Sequence, residues 1–390
     1  MVRLFLNYLT IVLNRFYSYM ILDKQETYEL TLIPTERCNL NCAYCMVDKS
    51  KGKNMSYEIA KREIDKMMAV SIYFKEYIVS FMGGEPFLAF DLIKQIVEYV
   101  KTEYWERNVY FKIVTNGTLV NDEIKKWISD NIIRLHVTLS LDGKRNTHNK
   151  NRCNSFDCID IPFFASLPSP TVNMVISPTG LNDIANNIIY IESKGFYVKA
   201  YLEEGISWRY EHLPFLAHQL SVLIEYYLKN TDQKITSILH NSLHFLTWEN
   251  KPIGCGTHKY SYHISADGAR YDCHRCMPFE QHPNMPIDEV YINDLSKVGV
   301  LNEACRNCFI SYMCNICPAS NAVRLGKRDL SEIYCLQHKL LYKAQANMVI
   351  RMLLENPNHY YFKHLPARLL EQTIEAAKII LKTIDTSKPF

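Results

Sequence analysis

From residue 27 onward, short apolar runs alternate with longer stretches in which apolar residues recur every three or four positions. TYELTLIPT (27–35), EYIVSFMGG (76–84), VYFKIVTNG (109–117), IRLHVTLSLDG (133–143), TVNMVIS (171–177) and FYVKAYLEEG (196–205) read as strands rich in β-branched and aromatic residues. Between them, SYEIAKREIDKMMAVSIY (56–73), DLIKQIVEYVKTEYW (91–105), a stretch over 121–131 and DIANNIIYIESKG (183–195) carry the helical period, with Ser56 as a cap and Glu58 in the first turn. Six such units call for a parallel sheet with right-handed crossovers. The expected fold class is therefore α/β, a partial (β/α)6 TIM-like barrel. Polar and glycine-bearing positions follow the strands: Gly83-Gly84-Glu85, Thr115-Asn116-Gly117, Ser140 and Asp142, Ser177, and Glu203-Glu204. Barrel active sites are built at such strand ends.

The flanks read differently. Residues 4–22 are apolar but broken by Asn7, Asn14 and Arg15, which suits an amphipathic helix better than a membrane span. LPARLLEQTIEAAKIILKTI (365–384) again has helical spacing and reads as a closing helix. The expected division is an N-terminal helix over 1–26, a barrel over 27–230, a cysteine-rich domain over 231–345 and C-terminal helices over 346–390.

Composition narrows the function classes. A chain of 390 residues with 48% hydrophobic content can bury sizeable cores, which excludes a disordered chain. Forty-four basic and 41 acidic residues leave a net charge of only +3, so neither nucleic acid nor an anionic membrane is an expected partner. The 13 cysteines are the exception to an ordinary composition. Their odd number, with no secretory signal, argues against a disulfide framework and for metal binding in a reducing cytoplasm.

Three of them, Cys38, Cys42 and Cys45, follow the first strand directly. Three thiolates can ligate three irons of a 4Fe–4S cube and leave the fourth iron open. This C-x3-C-x2-C motif, with Tyr44 before its last cysteine and Gly83-Gly84-Glu85-Pro86 after the second strand, resembles the radical S-adenosylmethionine (SAM) superfamily. The resemblance implies a SAM-binding 4Fe–4S cluster on the three cysteines and the Gly83–Pro86 segment at the amino group of SAM. It implies Ser140 near the ribose and Arg152 near the SAM carboxylate, with Thr115, Asn116, Asp142 and Ser177 as further candidates by position. Cys153 and Cys158 fall outside the motif and read as spare core thiols.

Eight more cysteines follow: Cys255, Cys273, Cys276, Cys305, Cys308, Cys314, Cys317 and Cys335. The Cys255-x12-Gly268-x4-Cys273 segment and the run Cys305-x2-Cys308-x5-Cys314-x2-Cys317, with Cys335 later, resemble the SPASM extension of radical SAM enzymes that mature peptides and proteins. Two auxiliary 4Fe–4S clusters are implied, three clusters in all. By this resemblance Cys255, Cys273 and Cys317 would hold the first auxiliary cluster, with Cys276 either its fourth ligand or free and leaving a site open to a substrate group, and Cys305, Cys308, Cys314 and Cys335 would hold the second. Paired knuckles of this kind also bind zinc.

The implied activity is reductive cleavage of SAM to a 5′-deoxyadenosyl radical. That radical would abstract hydrogen from a ribosomally made peptide or protein, giving oxidation or crosslinking with the auxiliary clusters as electron acceptors. Sulfatase-maturing relatives place an acidic base directly after the cysteine of the G-x4-C segment; His274 stands there, a residue that can also take a proton. A flavodoxin- or ferredoxin-type electron donor is implied. Because 26 residues precede the first strand, a separate leader-peptide recognition protein or the helical C-terminus would read a leader. Two other readings stay open: radical oxidation of a small molecule such as a sugar or aminoglycoside, and a non-catalytic metal-binding scaffold.

Overall fold

The computed structural model describes residues 27–45, 47, 52–70, 74–204, 206, 208–240, 243–247, 261–277, 308–311, 313–314, 332–363 and 365–384. The expected helix over 1–26 and the ligands Cys255, Cys305 and Cys317 lie outside them, as does the side chain of Cys276.

Six strands alternate with helices as the apolar pattern predicts: β1 (Thr27–Thr35), α1 (Tyr57–Val70), β2 (Glu76–Gly83), α2 (Phe90–Glu103), β3 (Val109–Thr115), α3 (Asp122–Asn131) and β4 (Leu135–Ser140). They continue through α4 (Arg145–Asn151), α5 (Ile161–Ser166), β5 (Thr171–Ile176), α6 (Ile184–Glu192) and β6 (Tyr197–Leu202). Local chemistry sets the starts: the Ser56 hydroxyl accepts the Ile59 N–H at 3.3 Å, and the Asn121 side chain accepts that of Ile124 at 3.0 Å. Sequence reading passes over α4, whose residues RNTHNKN show no apolar period; it buries His148 and Asn151 instead.

Every pair from β1 to β6 is parallel, and the sheet runs in the order β6-β5-β4-β3-β2-β1-β7-β8. Along each strand one row of side chains, such as Leu30, Leu32, Val79, Phe81, Phe111 and Ile113, packs beneath the helices and is almost fully buried. The alternate row faces the lumen.

Two elements cut across the expected domain limits. β7 (Ser261–Ile264) lies within 231–345 yet pairs in parallel with β1, with β8 (Arg270–Tyr271) antiparallel beyond it. The free edge of β1 offers unpaired N–H and C=O groups, and β7 satisfies them. After α7 (His212–Lys229), the helix α8 (Glu332–Glu355) runs unbroken through the 345/346 boundary, followed by α9 (Tyr360–Lys363) and α10 (Ala367–Thr383). α8 packs against both α7 and α10. Among the described residues no helix is long and apolar enough to cross a membrane.

Candidate functional site at the strand ends

The loop after β1 is tied down from three sides. The Ala43 N–H donates to the Asn151 carbonyl of α4 at 2.8 Å, and the Cys45 N–H to the Cys42 carbonyl at 3.0 Å. From β2, the Gly84 N–H donates to the Thr35 carbonyl at 3.0 Å and the Glu85 N–H to the Arg37 carbonyl at 2.8 Å. That approach explains the glycine pair. Gly83 has φ +131°, and a Cβ on Gly84 would lie 1.9 Å from the Arg37 carbonyl oxygen. The third tie is Asn116, whose amide donates to Asn39 Oδ1 at 2.9 Å and points to Cys38 Sγ at 3.9 Å.

A cleft of about 210 Å³ opens here, lined by Cys38, Cys42, Tyr44, Cys45, Met82, Gly83, Gly84, Glu85, Val114, Thr115, Asn116, Ser140 and Arg152. Eleven of these were singled out in the sequence; Met82 and Val114 are new, apolar wall residues that carry no motif. The three thiols are half-buried and none is in a disulfide, and Cys38 Sγ also accepts the Leu40 N–H at 3.5 Å. A sulfur that already accepts hydrogen bonds suits the thiolate form, so the donor set fits a cluster held by three cysteines.

Glu85 does not offer a free carboxylate to that cleft. It is 1% exposed and accepts from the Thr115 hydroxyl at 2.7 Å, the Asn116 N–H at 2.7 Å and the Phe87 N–H at 3.2 Å. It locks β2 to β3, and Pro86 opens the short 3-10 turn behind it. Burial pushes its pKa up to about 7.

Asp142 is the hub behind the cleft wall. Fully buried, it accepts from the Tyr44 hydroxyl at 2.7 Å, from Arg152 Nε at 3.0 Å and Nη2 at 3.3 Å, from the Asn151 amide at 3.3 Å and from the Val175 N–H at 3.1 Å. It thus holds Tyr44 and Arg152 in place. Burial opposes the Arg152 charge, but Asp142, Tyr44 and Cys42 more than offset it and raise its pKa. The Arg152 guanidinium also lies 5.3 Å from the Tyr44 ring centre. Burial pushes His148 down to about 4, so it is a neutral brace, its Nε2 3.0 Å from the Ser155 hydroxyl. Ser140 ends β4 with no hydrogen bond to its hydroxyl among the described residues, leaving that group for a ligand.

Other expectations fall elsewhere. Ser177 precedes a 3-10 turn without a side-chain cap and does not line the cleft. Neither does His274, whose Nδ1 is 3.9 Å from Cys273 Sγ and whose ring centre is 5.3 Å from that of His263. Burial holds its pKa well below the ordinary histidine value, which makes it a weak proton acceptor. His263, Cys273 and His274 together present three ligand atoms within 4.8 Å of one another, and His263 has no motif that would have found it. Cys153 and Cys158 are exposed rather than core thiols. Cys153 sits in the positive-φ turn after α4, where its thiol donates to the Asn41 carbonyl at 2.8 Å.

Comparison with known proteins agrees with this geometry. Residues 32–155 match the radical SAM superfamily. A cysteine-type anaerobic sulfatase-maturating enzyme of Clostridium perfringens is 32% identical over 137 residues, 33% of this chain and 36% of the relative. An uncharacterized protein of Methanocaldococcus jannaschii is 39% identical over 114 residues, 29% of this chain and 38% of its own. The chain thus spans little more than a third of these curated relatives. An uncharacterized protein of Archaeoglobus fulgidus is 22% identical over 348 residues, covering 82% of this chain and 81% of the other. Among solved structures, native anSMEcpe with bound AdoMet and Cp18Cys peptide superposes with a TM-score of 0.66 at 19% identity, over 85% of this chain and 99% of that one. Streptococcus suis SuiB bound to precursor peptide SuiA gives 0.53 at 15% identity, over 75% and 72%. These likenesses are of fold.

Proposed function

We propose, from the premise that this chain carries a radical SAM domain, that it is a radical SAM enzyme acting on a peptide or protein substrate. The observation that carries the reading is the convergence of Cys38, Cys42 and Cys45 with Gly83–Glu85, Ser140 and Arg152 on one cleft at the strand ends. Cys38, Cys42 and Cys45 would hold a 4Fe–4S cluster, and that cluster with SAM supplies one-electron reductive cleavage and hydrogen abstraction.

The remaining work belongs to the chain's own side chains. Arg152, kept charged by Asp142, would pair with the SAM carboxylate. Ser140 would offer its hydroxyl to the ribose. The backbone of Gly83–Gly84 would lie against the amino group, with Glu85 fixing that segment rather than binding directly. Met82 and Val114 would keep water from the reacting atoms.

A peptide substrate is supported by the similar folds solved with the Cp18Cys peptide and the SuiA precursor. Oxidation or crosslinking is the expected outcome. Cys273 and Cys276 with Cys255 and Cys317, and Cys308, Cys314 and Cys335 with Cys305, would carry two auxiliary clusters as electron acceptors. A flavodoxin- or ferredoxin-type donor and a separate leader-recognition protein complete the reading. A reducing cytoplasm suits it, because free thiols persist there.

The test is anaerobic reconstitution with iron and sulfide, followed by 5′-deoxyadenosine release from SAM under dithionite. Wild type should release the nucleoside, and a Cys38/Cys42/Cys45→Ala variant should not. Release that survives in the variant, or an iron-replete wild type that makes none, would overturn the reading.

A further inference from the structure

The lumen holds more positive charge than the cleft uses. Alternation along the strands puts Glu29, Ser80, Lys112, His136, Asn173 and Lys199 on the face opposite the helix-packed core. Lys112 Nζ pairs with Glu29 Oε2 at 3.2 Å, and the Ser80 hydroxyl donates to Glu29 Oε1 at 2.6 Å. The one carboxylate of this group is therefore already matched. Burial pushes His136 down to about 3, so it contributes no charge.

Lys199 is different. Its ammonium makes no ion pair and no hydrogen bond among the described residues, although it lies on the inner face of the sheet. Burial, and after it the nearby Lys112, lower its pKa, and the field of Glu29, already paired with Lys112, offsets this only in part. Among these six residues two ammonium groups stand against one carboxylate, a net positive charge on this part of the inner face.

The register gives its place. Lys199 pairs with Asn173, and Asn173 pairs with Ser140, which lines the cleft. Neighbouring strands are about 4.8 Å apart, so the Lys199 backbone lies about 10 Å across the sheet from that of Ser140. β6 is the edge strand, and Tyr201, in the same row as Lys199, is 51% exposed. The row thus opens to solvent at one end and reaches the cleft at the other.

We propose that Lys199 anchors a carboxylate of the substrate, with Lys112 adding to the field, so that the enzyme selects a substrate that carries an acidic group. The proposal rests on the reading of the cleft as the radical site. An acidic side chain and a peptide C-terminus both supply a carboxylate, and three probes separate these: acetyl-glutamate amide, acetyl-glutamine with a free carboxylate, and neutral acetyl-glutamine amide.

The experiment uses the full chain, reconstituted anaerobically, and reads acetylation of Lys199 by limiting acetic anhydride through peptide mass spectrometry. A carboxylate probe should slow labelling by the saturation factor 1 + [L]/Kd, and the neutral probe should not. Which of the two acidic probes protects identifies the source. Equal protection by the neutral probe, or none from either acid, overturns the proposal. If Lys199 resists labelling without any probe, the probe-induced rise in Tm is read instead. That rise should be lost in Lys199→Gln and kept in Lys199→Arg, and a rise that survives in Lys199→Gln overturns the proposal. Neither readout involves SAM cleavage. Protection in a wild type that makes no 5′-deoxyadenosine would sink the radical reading alone, and absent protection in an active enzyme would sink the subsite alone.

Discussion

Asp142 and Gly84 show at the residue scale why the motifs around the cleft take the form they do. The Asp142 carboxylate is the only counter-charge within ion-pair distance of buried Arg152 among the described residues, so Asp142→Asn strands a guanidinium in the interior. The expected cost is about 3–5 kcal/mol, read as a lower denaturation midpoint. Tyr44 should lose its fixed position with it, since its hydroxyl donates to the same carboxylate. Gly84→Ala pushes a methyl group to 1.9 Å from the Arg37 carbonyl and must move the cysteine loop. Overpacking of that kind costs about 3 kcal/mol, and the variant should take up less iron on reconstitution than wild type. An unchanged iron content would show that the glycine is not what seats the loop.

Helix packing carries its own titration. Glu192 ends α6 almost fully buried, accepting the Tyr227 hydroxyl of α7 at 2.6 Å, while its other oxygen has no partner among the described residues. Burial pushes its pKa up from 4.5 to about 8. The folded chain therefore keeps a proton that the unfolded chain releases above 4.5. The stability this contributes is present in full below 4.5 and is lost as pH rises through about 8. Glu192→Gln should flatten the fall of Tm across that window, with a difference of roughly a few kcal/mol between its ends. Parallel curves for wild type and variant would contradict the assignment. The same scale shows why β7 escapes sequence reading as part of the barrel. SYHI is only four residues long, and nothing local tells a strand that it will pair with β1 rather than within its own region.

Across the whole molecule, the three clusters proposed above would give about twelve irons per chain, with about four lost on Cys314→Ala and about four on the Cys38/Cys42/Cys45 change. Loss of the same irons in both variants would mean one shared centre. The amino-acid sequence by itself determined the order of the six parallel strands and of the helices with an apolar period, because that periodicity is a local property, and it determined the cysteine motif and Gly83–Pro86, because spacing along the chain is what those motifs consist of. It did not distinguish a residue that faces a ligand from one that holds another residue. Glu85 and Asp142 read as ligands and are buried with their oxygens accepting from the fold's own donors, whereas Ser140, one position type among many, keeps an open hydroxyl. Only the tertiary structure decided that, since a carboxylate's role depends on which donors the fold brings to it. It also set His274 apart from the cleft and Lys199 in register with Ser140: the strand stagger and the β7 pairing are long-range, and no neighbour in sequence encodes them.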